Sequence, residues 1–287
     1  MYQLGPHRLL CGDSTQPEAV LALMGDKKAD MIFTDPPYNV DYHGMQNSKQ
    51  WNKIANDAMS PEAFKEFLRK VFKNYNDFSK GEAAMYICHA DKSHTEFRQA
   101  FEEEGYDWRA TIVWVKNSPA FNFAQYKYKH EPIFYCFKKD KTVSWYGDMT
   151  NNTVWRKEWD DAQIVRWFKK QLAKEKETGT TTIWEAKKEK GLHPTIKPVE
   201  LIQKAITNSS KQDDIVLDLF LGSGSTLIAA QKTGRIGYGM EYEPTYCDVI
   251  VQRYVDYTGN TTLSLNGQEI IWPKSQKIKE TTKGTTI

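Results

Sequence analysis

The sequence predicts an α/β fold built on a mostly parallel sheet with helices on its faces. Short apolar runs alternate with segments of helical periodicity along most of the 287 residues, which is the pattern of strands connected by crossover helices. A glycine-rich turn between a strand and a helix, late in the chain, is typical of sheets that bind ligands at their carboxyl edge. With 40% hydrophobic and 26% charged residues, the chain can bury a large core, so a disordered protein is excluded.

The first half of the chain contains four predicted strands and one well-marked helix. The helix covers 60–75, because Ser60 suits its N-cap, Pro61 suits its first position, and apolar residues recur at helical spacing. That apolar stripe consists of Phe64, Phe67, Leu68, Val71, Phe72 and Tyr75. The strands are predicted at 30–34, 83–89, 110–116 and 131–137.

Composition changes between residues 140 and 192. This stretch holds five of the nine tryptophans and many Lys and Arg residues, but no long apolar strand. It predicts an inserted region with one amphipathic helix around Ile164, Phe168 and Leu172. Beyond it the α/β pattern resumes with a helix near 198–208, a strand at 214–220, a helix at about 225–233 and a strand at 235–241. The polar tail from 273 to 287 is predicted to be disordered.

Charge and cysteine content exclude several classes of protein. The formal net charge is +2, which excludes a histone-like basic protein, although local basic patches remain open. The four cysteines form no C-x-x-C pair, so neither a zinc site nor a small disulfide scaffold is indicated. No run of 18 apolar residues and no signal-peptide pattern occurs, so the protein is expected to be cytoplasmic.

A glycine turn with an acidic partner predicts a ligand site. Gly222, Ser223 and Gly224 separate a strand from a helix, and Glu241 closes the next strand 19 residues after Gly222. A carboxylate at this distance accepts hydrogen bonds from ribose hydroxyls in such folds. Leu227 replaces the third glycine of the dinucleotide fingerprint, which favours a ribose ligand without a diphosphate over NAD or FAD. The alternative is that these are only turn glycines and a surface Glu.

A second polar segment, Asp35-Pro36-Pro37-Tyr38, follows the predicted strand at 30–34. Consecutive prolines fix the backbone and remove two donors, which leaves the Asp35 carboxylate and the Pro36 carbonyl as acceptors. Such an edge can accept both protons of an exocyclic amino group, and Tyr38 offers a flat face for stacking a heterocycle. The alternative is an ordinary turn.

The two segments together resemble the paired signature of amino-directed DNA methyltransferases that use S-adenosylmethionine. The signature consists of D-P-P-Y, here at 35–38, and D-x-F-x-G-x-G, here at 218–224. Their order resembles the beta class of that family, in which the catalytic motif comes first. Three further segments are also similar: CGDS at 11–14, YKHEPIFY at 128–135 and HPTIKPVELI at 193–202.

The resemblance covers roughly residues 8 to 258, apart from the insert. It implies a Rossmann-like methyltransferase sheet divided into a catalytic half, a target-recognition insert, a cofactor-binding half and a tail. The corresponding ranges are 1–139, 140–192, 193–272 and 273–287.

The resemblance also implies roles for individual residues. The catalytic residues are Asp35, Pro36, Pro37 and Tyr38. Those around the methionine half of the cofactor are Asp218, Phe220, Gly222, Ser223 and Gly224. Glu241 is expected to hold the ribose, Asp13 to lie near the adenine, and Thr195 and Lys197 to help hold the carboxylate end. Asp13 as a helix cap and Lys197 as a solvated residue are the alternatives.

The implied reaction is methylation of the N6 amino group of adenine in double-stranded DNA. Acceptors at Asp35 and Pro36 would localise the nitrogen lone pair for direct displacement, after the base is flipped out of the duplex. Asn151, Asn152, Arg156, Gln163 and Arg166 are candidates for reading bases. The alternatives are cytosine-N4 methylation, RNA or protein-amide methylation, and a non-catalytic nucleic-acid-binding subunit. A homodimer and a companion restriction endonuclease remain open.

Overall fold

The computed structural model describes residues 1–41, 57–116, 125, 127–156 and 196–273. Within these ranges, eleven strands form one sheet. The strands are β1 (Tyr2–Leu4), β2 (His7–Cys11), β3 (Ala29–Thr34), β4 (Ser79–Cys88), β5 (Tyr106–Val115), β6 (His130–Lys138), β7 (Val154–Arg156), β8 (Ile215–Asp218), β9 (Ile236–Glu241), β10 (Thr262–Leu265) and β11 (Gln268–Ile271). The α-helices are α1 (Pro17–Met24), α2 (Pro61–Phe78), α3 (His94–Glu103), α4 (Val199–Ser209), α5 (Ser225–Thr233) and α6 (Pro244–Thr258).

The sheet is mixed, with a parallel centre. Its order is β11-β10-β1-β2-β9-β8-β3-β4-β6-β5-β7. Strands β2, β9, β8, β3 and β4 run parallel to one another, and the short β7 runs parallel to β5. Antiparallel pairs extend the centre on both flanks, through β1, β10 and β11 on one side and β6 and β5 on the other. The predicted α/β fold class is confirmed.

The strand order reverses between β3 and β8. The chain passes from β3 through α2 to β4 on one side, and from β8 through α5 to β9 on the other side. Neighbouring strands whose connections run in opposite directions leave a crevice at their carboxyl ends, and ligands bind there in doubly wound sheets. Both sequence motifs follow these two strands.

Apolar residues fill both faces of the sheet. Met31 and Phe33 point to one face and Ile32 points to the other, as the two-residue period of a strand requires. Helices α1, α2 and α3 cover the Ile32 face, whereas α4, α5 and α6 cover the opposite face. The central strands of the sheet are therefore buried between two helical layers.

The predicted helix at 60–75 is present as α2, with the expected start. Ser60 is its N-cap and accepts a hydrogen bond from the Ala63 backbone N–H at 3.2 Å, and Pro61 is its first residue. All six apolar residues of the predicted stripe are buried. The helix extends to Phe78, which is followed at once by β4.

The strand predicted at 214–220 ends earlier, at Asp218. The backbone N–H of Leu219 donates to the buried Tyr75 hydroxyl at 2.8 Å, and that of Phe220 donates to the Asp218 carboxylate at 3.0 Å. Two side chains thus replace the strand partners of Leu219 and Phe220, so the regular strand ends before the glycine turn at 222–224.

The described part of the predicted insert lies against the main sheet. β7 pairs with β5, and Trp155 is 4% exposed, with its ring centroid 6.0 Å from that of Tyr86. The helix predicted around Ile164 and the tail after Pro273 lie outside the described residues. The four range boundaries stay predictions.

No helix in the described ranges is long and apolar enough to cross a lipid bilayer.

Candidate active site

The carboxyl ends of four neighbouring parallel strands bring the predicted site residues to one edge of the sheet. Asp13 follows β2, Glu241 ends β9, Asp218 ends β8, and Asp35 follows β3. The order of the strands therefore sets the order of these four carboxylates. Thr195, which the resemblance assigns to the cofactor, lies outside the described residues.

The glycine turn is held by its acidic partner. Gly222 N–H donates to Glu241 Oε2 at 2.8 Å, and Glu243 N–H donates to Oε1 of the same carboxylate at 3.1 Å. Gly222 and Gly224 have φ angles of 53° and 81°, in the left-handed region that favours glycine. Burial raises the pKa of Glu241, although both hydrogen bonds oppose this. The turn and the carboxylate are thus one rigid unit.

Arg253 of α6 forms hydrogen bonds with this turn. Arg253 was not identified as a site residue from the sequence. Its guanidinium Nη1 donates to the Ser223 carbonyl at 3.0 Å and to the Ser225 hydroxyl at 3.1 Å. Gly224 is packed closely as well, because an added Cβ would lie 3.0 Å from Ile250 Cγ2. Arg253 is 28 residues from Ser225, so no local spacing could have revealed the contact.

Asp218 is a buried carboxylate beneath the turn. It accepts hydrogen bonds from Thr226 Oγ1 at 2.6 Å and from Phe220 N–H at 3.0 Å. Burial raises its pKa to about 7, and the charge of Asp35 acts in the same direction. The Phe220 ring packs edge-on against Phe67 of α2, with centroids 6.1 Å apart. Asp218 and Phe220 therefore line the crevice between β3 and β8.

Asp13 lies beside the end of β9. Gly12 N–H donates to the Glu241 carbonyl at 3.0 Å, which fixes Asp13 next to the ribose candidate. The Asp13 carboxylate accepts from the Thr15 N–H and hydroxyl at 2.9 and 2.8 Å. The N-cap of α1 is Gln16, so the alternative that Asp13 caps the helix is wrong. Its place near an adenine stays a prediction.

The Asp-Pro-Pro-Tyr segment forms a closed polar cluster with Lys197. Tyr38 OH donates to Asp35 Oδ1 at 2.5 Å, and Lys197 Nζ donates to Asp35 Oδ2 at 2.7 Å and to the Tyr38 hydroxyl at 3.0 Å. Pro36 is buried and Pro37 is partly buried. Both oxygens of the Asp35 carboxylate are therefore fixed by protein donors.

Lys197 is buried, so the alternative that it is a solvated residue is wrong. Its side chain is 6% exposed and forms ion pairs with Asp35 at 2.7 Å and Glu131 at 3.1 Å. Burial alone would lower the pKa of this ammonium, but the electrostatic influence of Asp35, Tyr38 and Glu131 raises it well above its usual value. Its assignment to the carboxylate end of a cofactor stays a prediction.

The Tyr38 ring is held in place from two sides. It packs edge-on against Phe97 with centroids 6.5 Å apart, and Lys197 Nζ lies 5.3 Å from its centroid. Burial, together with the neighbouring Asp35 charge, raises the pKa of the Tyr38 hydroxyl well above its usual value, so it stays a neutral donor. Stacking of a base on this ring stays a prediction.

The proposed base-reading residues are only partly described. Asn151 Nδ2 donates to the Asp148 carbonyl at 3.1 Å, and the Asn152 carbonyl accepts from Trp155 Nε1 at 3.0 Å. Arg156 ends β7, whereas Gln163 and Arg166 lie outside the described residues. Their contacts with DNA stay predictions.

The fold and the site define an α/β enzyme of the methyltransferase class, because a turn suited to a nucleoside and an edge suited to an amino group adjoin on neighbouring strands. Within that class, residues 29–252 match the family model described as DNA methylase, of the N6/N4 type. The chain belongs to this family of DNA methyltransferases, which modify the N6 of adenine or the N4 of cytosine. Members take the methyl group from S-adenosylmethionine, so the expected cofactor is confirmed.

Named relatives agree with the family assignment. The chain is 32% identical to type II methyltransferase M2.DpnII of Streptococcus pneumoniae, over 81% of this chain and 85% of that protein. It is 28% identical to type II methyltransferase M2.MboI of Moraxella bovis, over 81% and 83% of the two chains.

Solved structures support the fold. The M1.HpyAVI–SAM complex matches with a TM-score of 0.56 at 22% identity, over 86% of this chain and 98% of that one. PvuII DNA methyltransferase (cytosine-N4-specific) matches with a TM-score of 0.60 at 16% identity, over 87% and 86%.

Proposed function

We propose that this protein methylates the N6 amino group of adenine in double-stranded DNA at a specific sequence. The observation that carries the proposal is the position of the Asp35 acceptor edge after β3, next to the glycine turn after β8. An amino group at the first element and a methyl donor at the second would meet in the crevice between them. Asp rather than Ser before the two prolines favours adenine over cytosine, by resemblance to the family.

The residues of the glycine turn fit the cofactor. Glu241 accepts backbone hydrogen bonds from Gly222 and Glu243, and the backbone of Tyr242 also donates to it. A carboxylate has about four lone-pair sites. Capacity for a hydrogen bond from a ribose hydroxyl therefore remains. Asp218, Phe220, Gly222, Ser223 and Gly224 would surround the methionine half, and Asp13 would lie towards the adenine. When bound, S-adenosylmethionine supplies an electrophilic methyl group.

Asp35 would act on the target nitrogen. The lone pair of a nucleobase amino group is delocalised into the ring, so the nitrogen is a poor nucleophile. The Asp35 carboxylate and the Pro36 carbonyl would accept its two protons and draw the nitrogen towards a tetrahedral geometry, which localises the lone pair. Tyr38 would hold the base by stacking. Orientation and electrostatics then suffice for direct displacement, without a covalent enzyme intermediate.

The cysteines support a mechanism without a covalent intermediate. Cys88 is buried near Asp35, and burial together with the Asp35 charge raises the pKa of its thiol well above the usual value. A neutral buried thiol is a poor nucleophile. Cys136 and Cys247 are also buried, and only Cys11 is exposed.

Duplex DNA as substrate requires base flipping, since a stacked base cannot reach the crevice. We infer that residues of the 140–192 region provide phosphate contacts and sequence recognition. The names of M2.DpnII and M2.MboI as type II methyltransferases support a place in a restriction–modification system, in which methylation protects the recognition sites of the host.

The decisive experiment identifies the methylated base. The purified protein is incubated with methyl-labelled S-adenosylmethionine and duplex DNA, and the digested nucleosides are analysed by mass spectrometry. We expect N6-methyladenine, and we expect Asp35→Ala to lose it while cofactor binding persists, because the carboxylate acts mainly in the transition state. The control is Asp26→Ala, which removes an 86% exposed carboxylate.

If the product were N4-methylcytosine, the target base would be cytosine rather than adenine. Label found in RNA but not in DNA would overturn the choice of substrate. Full activity of Asp35→Ala would show that the acceptor edge is structural.

A further inference from the structure

A chain of four alternating charges leads from Asp35 into the protein. Lys197 Nζ lies 2.7 Å from Asp35 Oδ2 and 3.1 Å from Glu131 Oε2, and Lys116 Nζ contacts Glu131 Oε1. The order is therefore Asp35, Lys197, Glu131 and Lys116, with the charges −, +, − and +. The family resemblance assigned no role to Glu131.

The topology explains why residues so distant in sequence meet here. β6 runs antiparallel to β4, with Cys88 opposite Ile133. Glu131, at the start of β6, therefore lies at the same edge as the carboxyl ends of the parallel strands. Lys116 directly follows β5, whose Trp114 is opposite Glu131. Lys197 precedes α4, which packs against β3 and β4.

Lys197 directs its side-chain hydrogen bonds to the Asp-Pro-Pro-Tyr segment. An ammonium group has three N–H donors and no acceptor. Three oxygens surround it, namely Asp35 Oδ2 at 2.7 Å, the Tyr38 hydroxyl at 3.0 Å and Glu131 Oε2 at 3.1 Å. Among the described residues, the contact with Glu131 Oε2 is an ion pair without a hydrogen bond. In the described part of the chain, both hydrogen bonds of the Lys197 ammonium therefore go to Asp35 and Tyr38, on the reaction side of the site.

The charges are mutually dependent because Lys197 is buried and its partners are only partly exposed. Groups from every element packed around Lys197 influence its charge: Asp35 and Tyr38 after β3, the neutral thiol of Cys88 at the end of β4, and Glu131 of β6. Burial opposes ionisation of Glu131, but Lys197 and Lys116 lower its pKa below the usual value. Removing one member of such a network leaves an uncompensated buried charge.

We propose that Glu131 is a positioning residue for methyl transfer. By holding the Lys197 ammonium at one side, Glu131 fixes the orientation and the negative charge of Asp35, which accepts the target amino group. The inference rests on the proposed function of Asp35 and assigns Lys197 to the reaction-side carboxylate rather than to the cofactor.

The consequences of losing the Glu131 charge follow from electrostatics. In Glu131→Gln, Lys197 is balanced by Asp35 alone, so it withdraws more charge from the acceptor. Lys197 also loses its proton at lower pH, because one of its two neighbouring carboxylates is gone. Loss of that proton frees Asp35 Oδ2 from its anchor. Both effects reduce the rate of the chemical step and leave ground-state binding of the cofactor little changed.

The test measures single-turnover methylation of duplex DNA as a function of pH. For Glu131→Gln we expect a rate at least about tenfold below wild type, a cofactor Kd within about twofold, and an alkaline decline at lower pH than in wild type. Glu131→Asp keeps the charge and should recover part of the rate. Glu102→Gln is the control, because it breaks an exposed ion pair with Arg98 on α3.

Lys116→Gln changes the charge in the opposite direction. It leaves Glu131 with Lys197 as its remaining cation, so the alkaline decline should not move to lower pH. An equal loss of rate at all pH values in Glu131→Gln, or the same shift of the decline in both variants, would show that the cluster only supports folding. A Glu131→Gln rate within twofold of wild type across the pH range would also overturn the proposal.

A spectroscopic readout separates this proposal from the proposed function. NMR of 13Cε-labelled lysine, assigned with Lys197→Met, follows the charge of Lys197 without any substrate. We expect Lys197 to remain protonated at a pH where exposed lysines have lost their protons. It should titrate at lower pH in Glu131→Gln, and Glu131→Asp, which keeps the charge, should shift the titration less. Titration of wild-type Lys197 together with exposed lysines would overturn the proposal even if Glu131→Gln did not fold. Wild-type protein with this coupling but without DNA methylation would instead contradict the proposed function.

Discussion

Asp218 makes the apoprotein less stable as the pH rises towards neutrality. Its pKa is raised from the usual 3.8 to about 7, chiefly by burial. Between these two values the folded protein keeps a proton that the unfolded chain has released. The free energy of unfolding depends on pH through the difference in bound protons, and it falls with rising pH wherever the folded state holds more. The contribution of Asp218 is therefore present below its usual pKa and is lost as the pH rises to about 7.

The variant Asp218→Asn removes this titration and keeps the shape of the side chain. The amide oxygen can still accept the Phe220 N–H, and the amide nitrogen can donate to the Thr226 hydroxyl. One pKa unit corresponds to about 1.4 kcal/mol. Between pH 5 and pH 8, about two pH units lie below the pKa of Asp218. The free energy of unfolding of the wild type should therefore fall by roughly 2 to 3 kcal/mol relative to that of the variant.

Urea unfolding of both apoproteins at pH 5 and pH 8 measures this effect. The difference in unfolding free energy between wild type and variant is determined at each pH, and the two differences are then compared. Other titrating groups are common to the two proteins and cancel. The variant should gain stability relative to the wild type as the pH rises. A difference between the two proteins that stays constant from pH 5 to pH 8 would refute the argument, because it would mean that the Asp218 carboxylate has the same proton affinity in the folded and unfolded states.

Three further substitutions test other parts of the edge. Tyr75→Phe removes two buried hydrogen bonds of 2.8 Å and should lower the free energy of unfolding by about 1 to 3 kcal/mol in urea titrations; no change would mean that water replaces the hydroxyl. Gly239→Ala places a Cβ 2.3 Å from Leu221 Cδ1, so it should cost about 1 to 3 kcal/mol of stability and weaken cofactor binding in calorimetry, whereas Gly81→Ala, with 3.7 Å to its nearest neighbour, should do neither. Glu241→Ala should weaken the cofactor by roughly 1 to 3 kcal/mol in the same calorimetric assay, and unchanged affinity would remove Glu241 from the ribose role.

Local signals explain which elements the sequence could predict. The helix α2 carries its own cap, its own first-position proline and six apolar residues on one face, so nothing distant was needed to recognise it. The strands β1, β10 and β11 are three or four residues long, and β1 pairs with β10 across the chain, with Tyr2 opposite Leu265. The pairing of β1 with β10 leaves no local signal in the sequence. In contrast, β10 and β11 form a hairpin through Asn266-Gly267, a local turn signal that the sequence analysis did not use.

The candidate site shows the same limit. The positions of Asp35 and Gly222 at strand ends could be predicted, because a strand and its following turn are contiguous in sequence. The contact between Lys197 and Asp35 joins residues 162 positions apart, and that between Lys197 and Glu131 depends on the antiparallel direction of β6. Sequence reasoning identified Lys197 but could not identify its partners, and it assigned Glu131 no role.

β1 and β10 are neighbours in the sheet. Because of this, the two motifs of the site could follow each other in either order along the chain and still form the same site. The Met1 carbonyl accepts a hydrogen bond from Asn266 N–H at 2.8 Å, so the first strand and the hairpin of β10 and β11 already lie side by side. A circularly permuted chain, starting before α4 and ending after β7, would need only a short linker between β11 and β1. Every strand would keep its neighbours, and the crevice between β3 and β8 would be rebuilt with the glycine turn encoded before the Asp-Pro-Pro-Tyr segment.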